Sequence, residues 1–145
     1  MTKSQLDKTI TGLAGEFLVA GHLSLKGYVA SLTLKNYPEV DIFCLNPQNG
    51  KQCTIQVKTK RGGRSYYVPE KVDDSETPFV FVYIKKDDSY DFFVISAKDV
   101  AYLSAKQRQY YIESHPNVKK QQPRMLSVES IQPYKNRWDL LGLKD

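Results

Sequence analysis

Four polar side chains stand where the sequence otherwise predicts regular, mostly apolar secondary structure. They are Glu16 in a helical segment, Asp41 in the first strand of a hairpin, and Gln56 and Lys58 in its second strand. Carboxylate and amide oxygens suit hard cations such as Mg²⁺ or Mn²⁺, which also accept water and phosphate oxygens. A nearby ammonium group can hold an attacking water, help to deprotonate it, or stabilise developing negative charge. The set therefore suggests metal-assisted hydrolysis of a phosphate ester.

Asp41 would be the anchoring carboxylate of this metal site. Gln56 offers an uncharged amide oxygen, and the carbonyl of Val57 could add a backbone ligand. Glu16 would bind the metal directly or orient one of its waters. Because an amide replaces a carboxylate, we expect metal to bind weakly until a substrate phosphate completes its coordination.

A helix predicted over residues 11–26 must position Glu16, and Gly27 is well placed to end it. At about 100° per residue, several apolar side chains fall within roughly 60° of Glu16. They are Leu13, Val19, Ala20 and Leu23. The carboxylate therefore projects from an apolar stripe. The alternative interpretation is that Glu16 is an ordinary acidic residue of the helix, stabilised by the helix dipole or by pairing with a lysine.

A β-hairpin must position the strand residues. Segments 39–45 and 53–59 are predicted strands, and the Asn-Gly pair between them is a strong hairpin signal. A two-residue turn would place Asp41 opposite Lys58, whereas a four-residue loop would place it opposite Gln56. Both registers have the same parity, so all three polar side chains share one face and the other face is apolar.

The remaining segments predict an α/β fold with a central mixed sheet flanked by helices. Segment 28–34 reads as a first strand, and 79–84, which is apolar on both faces, reads as a central strand paired with 90–96. A capping-box pattern at Ser96 opens a helix that runs to about Ser114. The tail contributes a short extended piece and three apolar residues that close the domain: Trp138, Leu140 and Leu141.

Composition favours one domain spanning residues 1–145. No apolar run is long enough to span a bilayer and the N-terminal segment lacks a signal-peptide core, so we expect a cytoplasmic protein without membrane contact. Cys44 and Cys53 fall in the hairpin, could face each other, and are interpreted as reduced, in preference to a disulfide. The net charge of +5 suits a phosphate-rich partner but is also common elsewhere.

In this order, Glu16, Asp41 and the tripeptide Gln56-Val57-Lys58 resemble the PD-(D/E)xK nuclease superfamily, in a QxK variant. "GLAGEFLVAGHLSLKGY", "EVDIF" and "IQVKTK" are similar to its first helix, metal-binding strand and catalytic strand, and the resemblance covers roughly residues 10–95. It implies a restriction-endonuclease-like fold and Mg²⁺- or Mn²⁺-dependent hydrolysis of DNA. The implied site residues are Glu16, Asp41, Gln56 and Lys58, and analogy adds a possible homodimer.

Three features depart from the superfamily pattern. Gln56 stands where an acid is usual, Val40 stands where a proline is usual, and residues 61–78 read only weakly as the expected crossover helix. An alternative is therefore a catalytically inactive nuclease fold that binds nucleic acid or a protein partner. A second is a purely structural or interaction domain.

The basic stretch "KTKRGGR" at residues 58–64 adjoins the predicted site. Lys60, Arg61 and Arg64 would grip phosphates of DNA on either side of the scissile bond, although an exposed solubilising turn is an equal alternative. The ten tyrosines, among them Tyr66 and Tyr67, could stack on unpaired bases. Strand and helix tyrosines are more often half-buried, so the sequence assigns no base contact.

Overall fold

A computed structural model describes residues 1–34 and 39–144. Its main sheet has five strands: β1 (Val29–Leu32), β2 (Ile42–Leu45), β3 (Gln52–Arg61), β5 (Phe79–Ile84) and β6 (Tyr90–Ile95). They lie in the order β1-β2-β3-β5-β6, with β3 and β5 parallel and the other neighbours antiparallel. Two short strands, β4 (Ser65–Tyr67) and β7 (Met125–Ser127), form a separate antiparallel pair. The predicted mixed sheet flanked by helices is confirmed.

The two long helices cover opposite faces of the sheet. From α1 (Lys3–Leu25), Val19 and Leu23 pack on the face that carries Ile42 and Ile55. The other face packs against α2 (Ala97–Ser114) through a second cluster that includes Phe79, Phe81, Phe93 and Val100. As predicted, the tail closes the first cluster: Leu141 and Leu143 are buried, with Trp138 and Leu140 packed beside them.

The hairpin adopts the register of the four-residue loop. Ile42 pairs with Ile55 and Cys44 with Cys53, so the two cysteines face each other. The Gly50 N–H donates to the Asn46 carbonyl at 2.8 Å, and Gly50 has φ +76°, a conformation that glycine adopts without strain. This local geometry excludes the two-residue turn.

The start of α1 was predicted too late. The helix begins at Lys3, after Thr2 and Gln5 form a capping box in which each side chain bonds the other residue's backbone N–H. Residues 1–10 are exposed, so apolar periodicity does not mark this part of the helix. None of the helices in the described ranges has the length and apolar character to cross a bilayer.

The crossover from β3 to β5 contains no α-helix among its residues. It forms β4 and a short 3₁₀ helix, Glu70–Asp74. Arg124 is 3% exposed and fixes this segment by donating to both carboxylate oxygens of Asp73, at 2.7 and 2.9 Å, and to Ser104 Oγ at 2.8 Å. A buried guanidinium needs such partners. Because Asp73 belongs to the crossover and Ser104 to α2, the bonds of Arg124 connect these two parts of the chain.

Candidate active site

One edge of β3 loses its strand partner halfway along the strand. In the described residues β2 pairs with β3 only as far as Ile42 opposite Ile55, whereas β5 pairs with β3 from Gln56 to Arg61. The Gln56 N–H donates to the Pro78 carbonyl at 3.0 Å, so its backbone faces β5. Backbone groups alternate along a strand, and those of Val57 therefore face the open edge.

The carboxylate of Asp41 lies at this open edge. The Asp41 N–H donates to the Ile55 carbonyl at 2.9 Å, and Asp41 Oδ2 accepts a bond of 2.7 Å from the Val57 N–H. A charge-assisted bond of this kind fixes the carboxylate beside the backbone of Val57. Asp41 is only half-buried, so the group remains within reach of solvent.

Glu16 reaches the same place because α1 crosses β3 at very close range. Gly15 is buried, and a Cβ added to it would lie 1.7 Å from Thr59 Oγ1. Only glycine permits this approach. Glu16 and Asp41 line one cavity of about 350 Å³, here called the acidic cavity. The two predicted acids are thus brought together.

Lys58 lines a neighbouring cavity of about 490 Å³, here called the basic groove, together with Lys60, Arg61 and Lys8 of α1. Lys8 lines both cavities, so they adjoin. Sequence reasoning missed Lys8, because it lies before the predicted start of the helix. The missed sign was its spacing: Lys8 precedes Glu16 by eight residues, which places the two side chains about 80° apart on one side of the helix.

Gln56 is placed differently from the other three. It is 8% exposed and lines neither cavity. Strand alternation puts Gln56 and Lys58 on one face of the sheet, while α1 with Glu16 packs on the other face. The predicted residues therefore approach the open edge of β3 from both faces, and Gln56 is the most enclosed.

The groups at this edge that could hold a hard cation are two carboxylates and neutral oxygens. Across residues 1–34 and 39–144, no three histidine, cysteine or acidic side chains are grouped so as to hold a metal ion. Two carboxylates share the acidic cavity, and the Val57 carbonyl faces the same edge. Two carboxylates with neutral oxygens are a sufficient set for a cation of the Mg²⁺ type, which keeps several waters.

The basic residues at the end of β3 are partly engaged in internal bonds. Lys60 Nζ donates to the Ser65 carbonyl at 2.7 Å, and Arg61 forms an exposed ion pair of 2.6 Å with Asp88. Arg64 is exposed. Because an exposed ion pair contributes little, Arg61 can exchange Asp88 for a phosphate at small cost.

Comparison with known proteins supports the fold. The chain matches no protein-family model and no curated protein. Among solved structures it is similar to the Holliday junction resolvase Hjc of Archaeoglobus fulgidus, with TM-score 0.50 and 15% identity over 86% of this chain and 93% of that chain. It is also similar to the bacterial homing endonuclease I-Ssp6803I, with TM-score 0.52 and 12% identity over 91% and 88%. The chain thus shares the restriction-endonuclease-like fold of two nucleases.

Proposed function

We propose that this protein is a metal-dependent endonuclease that hydrolyses phosphodiester bonds of DNA. One observation carries the proposal: Glu16 and Asp41 share a cavity at the open edge of the strand that bears Lys58. The fold adds support, because one similar structure is a Holliday junction resolvase and another a homing endonuclease.

The cofactor of the proposed enzyme is Mg²⁺ or Mn²⁺. Asp41 and Glu16 would hold it with the carbonyl of Val57, and Gln56 would contribute its amide oxygen after a change of side-chain position. When bound, such a cation polarises the phosphoryl group and makes a bound water more acidic. The 2.7 Å bond from the Val57 N–H orients Asp41 for this role.

Lys58 is the proposed catalytic cation. Its ammonium group would hold the attacking water or stabilise the charge that develops on the phosphate oxygens. Lys60, Arg61 and Arg64 would neutralise flanking phosphates of DNA. We place the protein in the cytoplasm, without membrane contact, and a homodimer would allow both strands of a duplex to be cut.

The direct test is incubation of the purified protein with duplex, branched and single-stranded DNA in the presence of Mn²⁺. We expect the wild-type protein to cut at least one substrate and Lys58→Ala to cut it on the order of a hundredfold more slowly. Lys98→Ala, which removes an exposed lysine from α2, is the matched control and keeps full activity. Equal cutting by wild type and Lys58→Ala would refute the catalytic role. Salt-sensitive binding without cleavage under any metal would identify an inactive nuclease fold instead.

A further inference from the structure

The lining of the basic groove includes an exposed aromatic ring, Tyr67. It also includes four cations, Lys8, Lys58, Lys60 and Arg61, and the acid among the lining residues is Asp7. We propose that this groove binds an unpaired nucleotide next to the scissile phosphate, with its base stacked on Tyr67. The inference rests on the proposed nuclease function and names its substrate class: DNA with a fork, flap or frayed end.

The position of Tyr67 is set by strand alternation in β4. Tyr66 turns inward, is 4% exposed, and donates from its hydroxyl to the Val82 carbonyl at 2.8 Å. Tyr67 turns outward and is 68% exposed, although its backbone is paired with Met125 of β7. A ring on a fixed backbone with an open face can stack on a base at little entropic cost.

The charge of the groove suits a single strand. Lys60 donates to the Ser65 carbonyl at 2.7 Å, and Lys8 lines both the groove and the acidic cavity. Proteins that bind unpaired nucleic acid combine a cationic track for the backbone with aromatic rings for the bases. The groove has both parts, and its cations include Lys58, the proposed catalytic residue.

The size of the groove suits a single nucleotide. A volume of about 490 Å³ is within the range of pockets that enclose one small ligand. A nucleotide is a ligand of that kind, whereas a duplex presents paired, stacked bases that leave no free face for Tyr67. A base must therefore be unpaired to use this site.

The test measures binding without cleavage. Forked DNA carrying 2-aminopurine at the first unpaired position is titrated in EDTA, beside a fully paired duplex of the same length. We expect the wild-type protein to prefer the fork and to quench the 2-aminopurine fluorescence. Tyr67→Ala should weaken fork binding about tenfold, leave duplex binding unchanged, and abolish the quenching. Tyr67→Trp should keep both properties.

The matched control is Tyr110→Ala, because Tyr110 is equally exposed, at 73%, but lies on α2. It should bind the fork as the wild type does. Unchanged fork affinity and quenching in Tyr67→Ala would overturn the inference, as would a wild-type protein without fork preference. Fork binding that depends on Tyr67 in a protein that never cuts DNA would refute the nuclease proposal alone. If the protein cuts DNA but its fork binding does not depend on Tyr67, only the proposed nucleotide-binding role of the groove is refuted.

Discussion

The acidic cavity and the basic groove adjoin each other but have opposite character. The first is built from Glu16 and Asp41 with polar and apolar neighbours from α1 and β1, and the second from cations of α1 and β3 with an exposed tyrosine. Lys8 lines both. Two tasks can therefore be separated within one site, because oxygen donors suit a cation and ammonium groups suit phosphates.

Both cavities depend on the same backbone feature. Where β3 loses β2 as a partner, its open edge accepts the Asp41 carboxylate instead of another strand. The close approach at Gly15 and Thr59 then brings α1 against this edge. The site therefore depends on the point at which β2 stops pairing with β3, and on the lack of a side chain at Gly15.

The largest expected effect is a loss of DNA cleavage when Asp41, in the acidic cavity, is replaced. Asp41→Asn keeps an oxygen for the Val57 N–H but removes the charge needed by a cation. Changes to residues that only support metal ligands cost 10- to 100-fold, so we expect at least about a hundredfold loss of Mn²⁺-dependent cleavage. DNA binding in EDTA should persist. Asp74→Asn, at an exposed acid of the crossover, is the control with normal rates.

The next effect concerns the close crossing that holds the two cavities together. Gly15→Ala forces the new Cβ against the β-branched Thr59, and we expect a loss of about 1–3 kcal/mol in the free energy of unfolding, measured by denaturant titration. Gly21→Ala is the matched control on the same helix. Nothing lies within 4 Å of its added Cβ, so it should stabilise by about 0.4–1 kcal/mol. Equal effects at both glycines would contradict the close crossing.

A smaller effect should follow from restoring a carboxylate. Gln56→Glu adds a negative charge at the residue whose side chain is proposed to move to the metal, and it should raise the Mn²⁺ affinity of the free protein roughly tenfold, or about 1.4 kcal/mol, by calorimetry. Gln52→Glu, on the exposed start of the same strand, should leave it unchanged. For the wild-type protein, Mn²⁺ should bind more tightly when DNA is present. Equal affinity with and without DNA would remove the idea that substrate completes the coordination.

The smallest effect is expected at the two arginines at and just after the end of β3, Arg61 and Arg64. Arg61→Ala with Arg64→Ala should weaken DNA binding several-fold and reduce the slope of log affinity against log salt by about 0.9 for each phosphate that is no longer neutralised. Mn²⁺ binding should not change. Replacing Lys98 and Lys106, two exposed lysines of α2, removes the same charge elsewhere. If that pair changes the slope equally, Arg61 and Arg64 have no special role in binding DNA.

The hairpin illustrates what the sequence can predict. Period-two alternation places the polar residues on one face and the apolar residues on the other, whichever loop forms. The alternation does not distinguish the register of the two-residue turn from that of the four-residue loop. The register depends on bonds within the turn, such as the bond from the Gly50 N–H to the Asn46 carbonyl. The pairing of Asp41 with the edge of β3 is therefore predictable only as one of two alternatives.

Long-range pairings explain most of what the sequence missed. β4 pairs with β7, some sixty residues further along the chain, and no local pattern announces that pairing. Arg124 likewise fixes the crossover by bonds to residues distant in sequence. The early start of α1 is different, because the Thr2 and Gln5 capping box is visible in the sequence. A helix that begins at this capping box includes Lys8 and places it on the same side of α1 as Glu16.

We propose that the acids at the open edge of β3 bind a cation. A crystal soaked in Mn²⁺ tests it by anomalous scattering. We predict a peak about 2.1 Å from a carboxylate oxygen of Asp41, within reach of Glu16 and the Val57 carbonyl. Manganese bound only elsewhere on the protein, with the acidic cavity empty at saturating concentration, would contradict the claim.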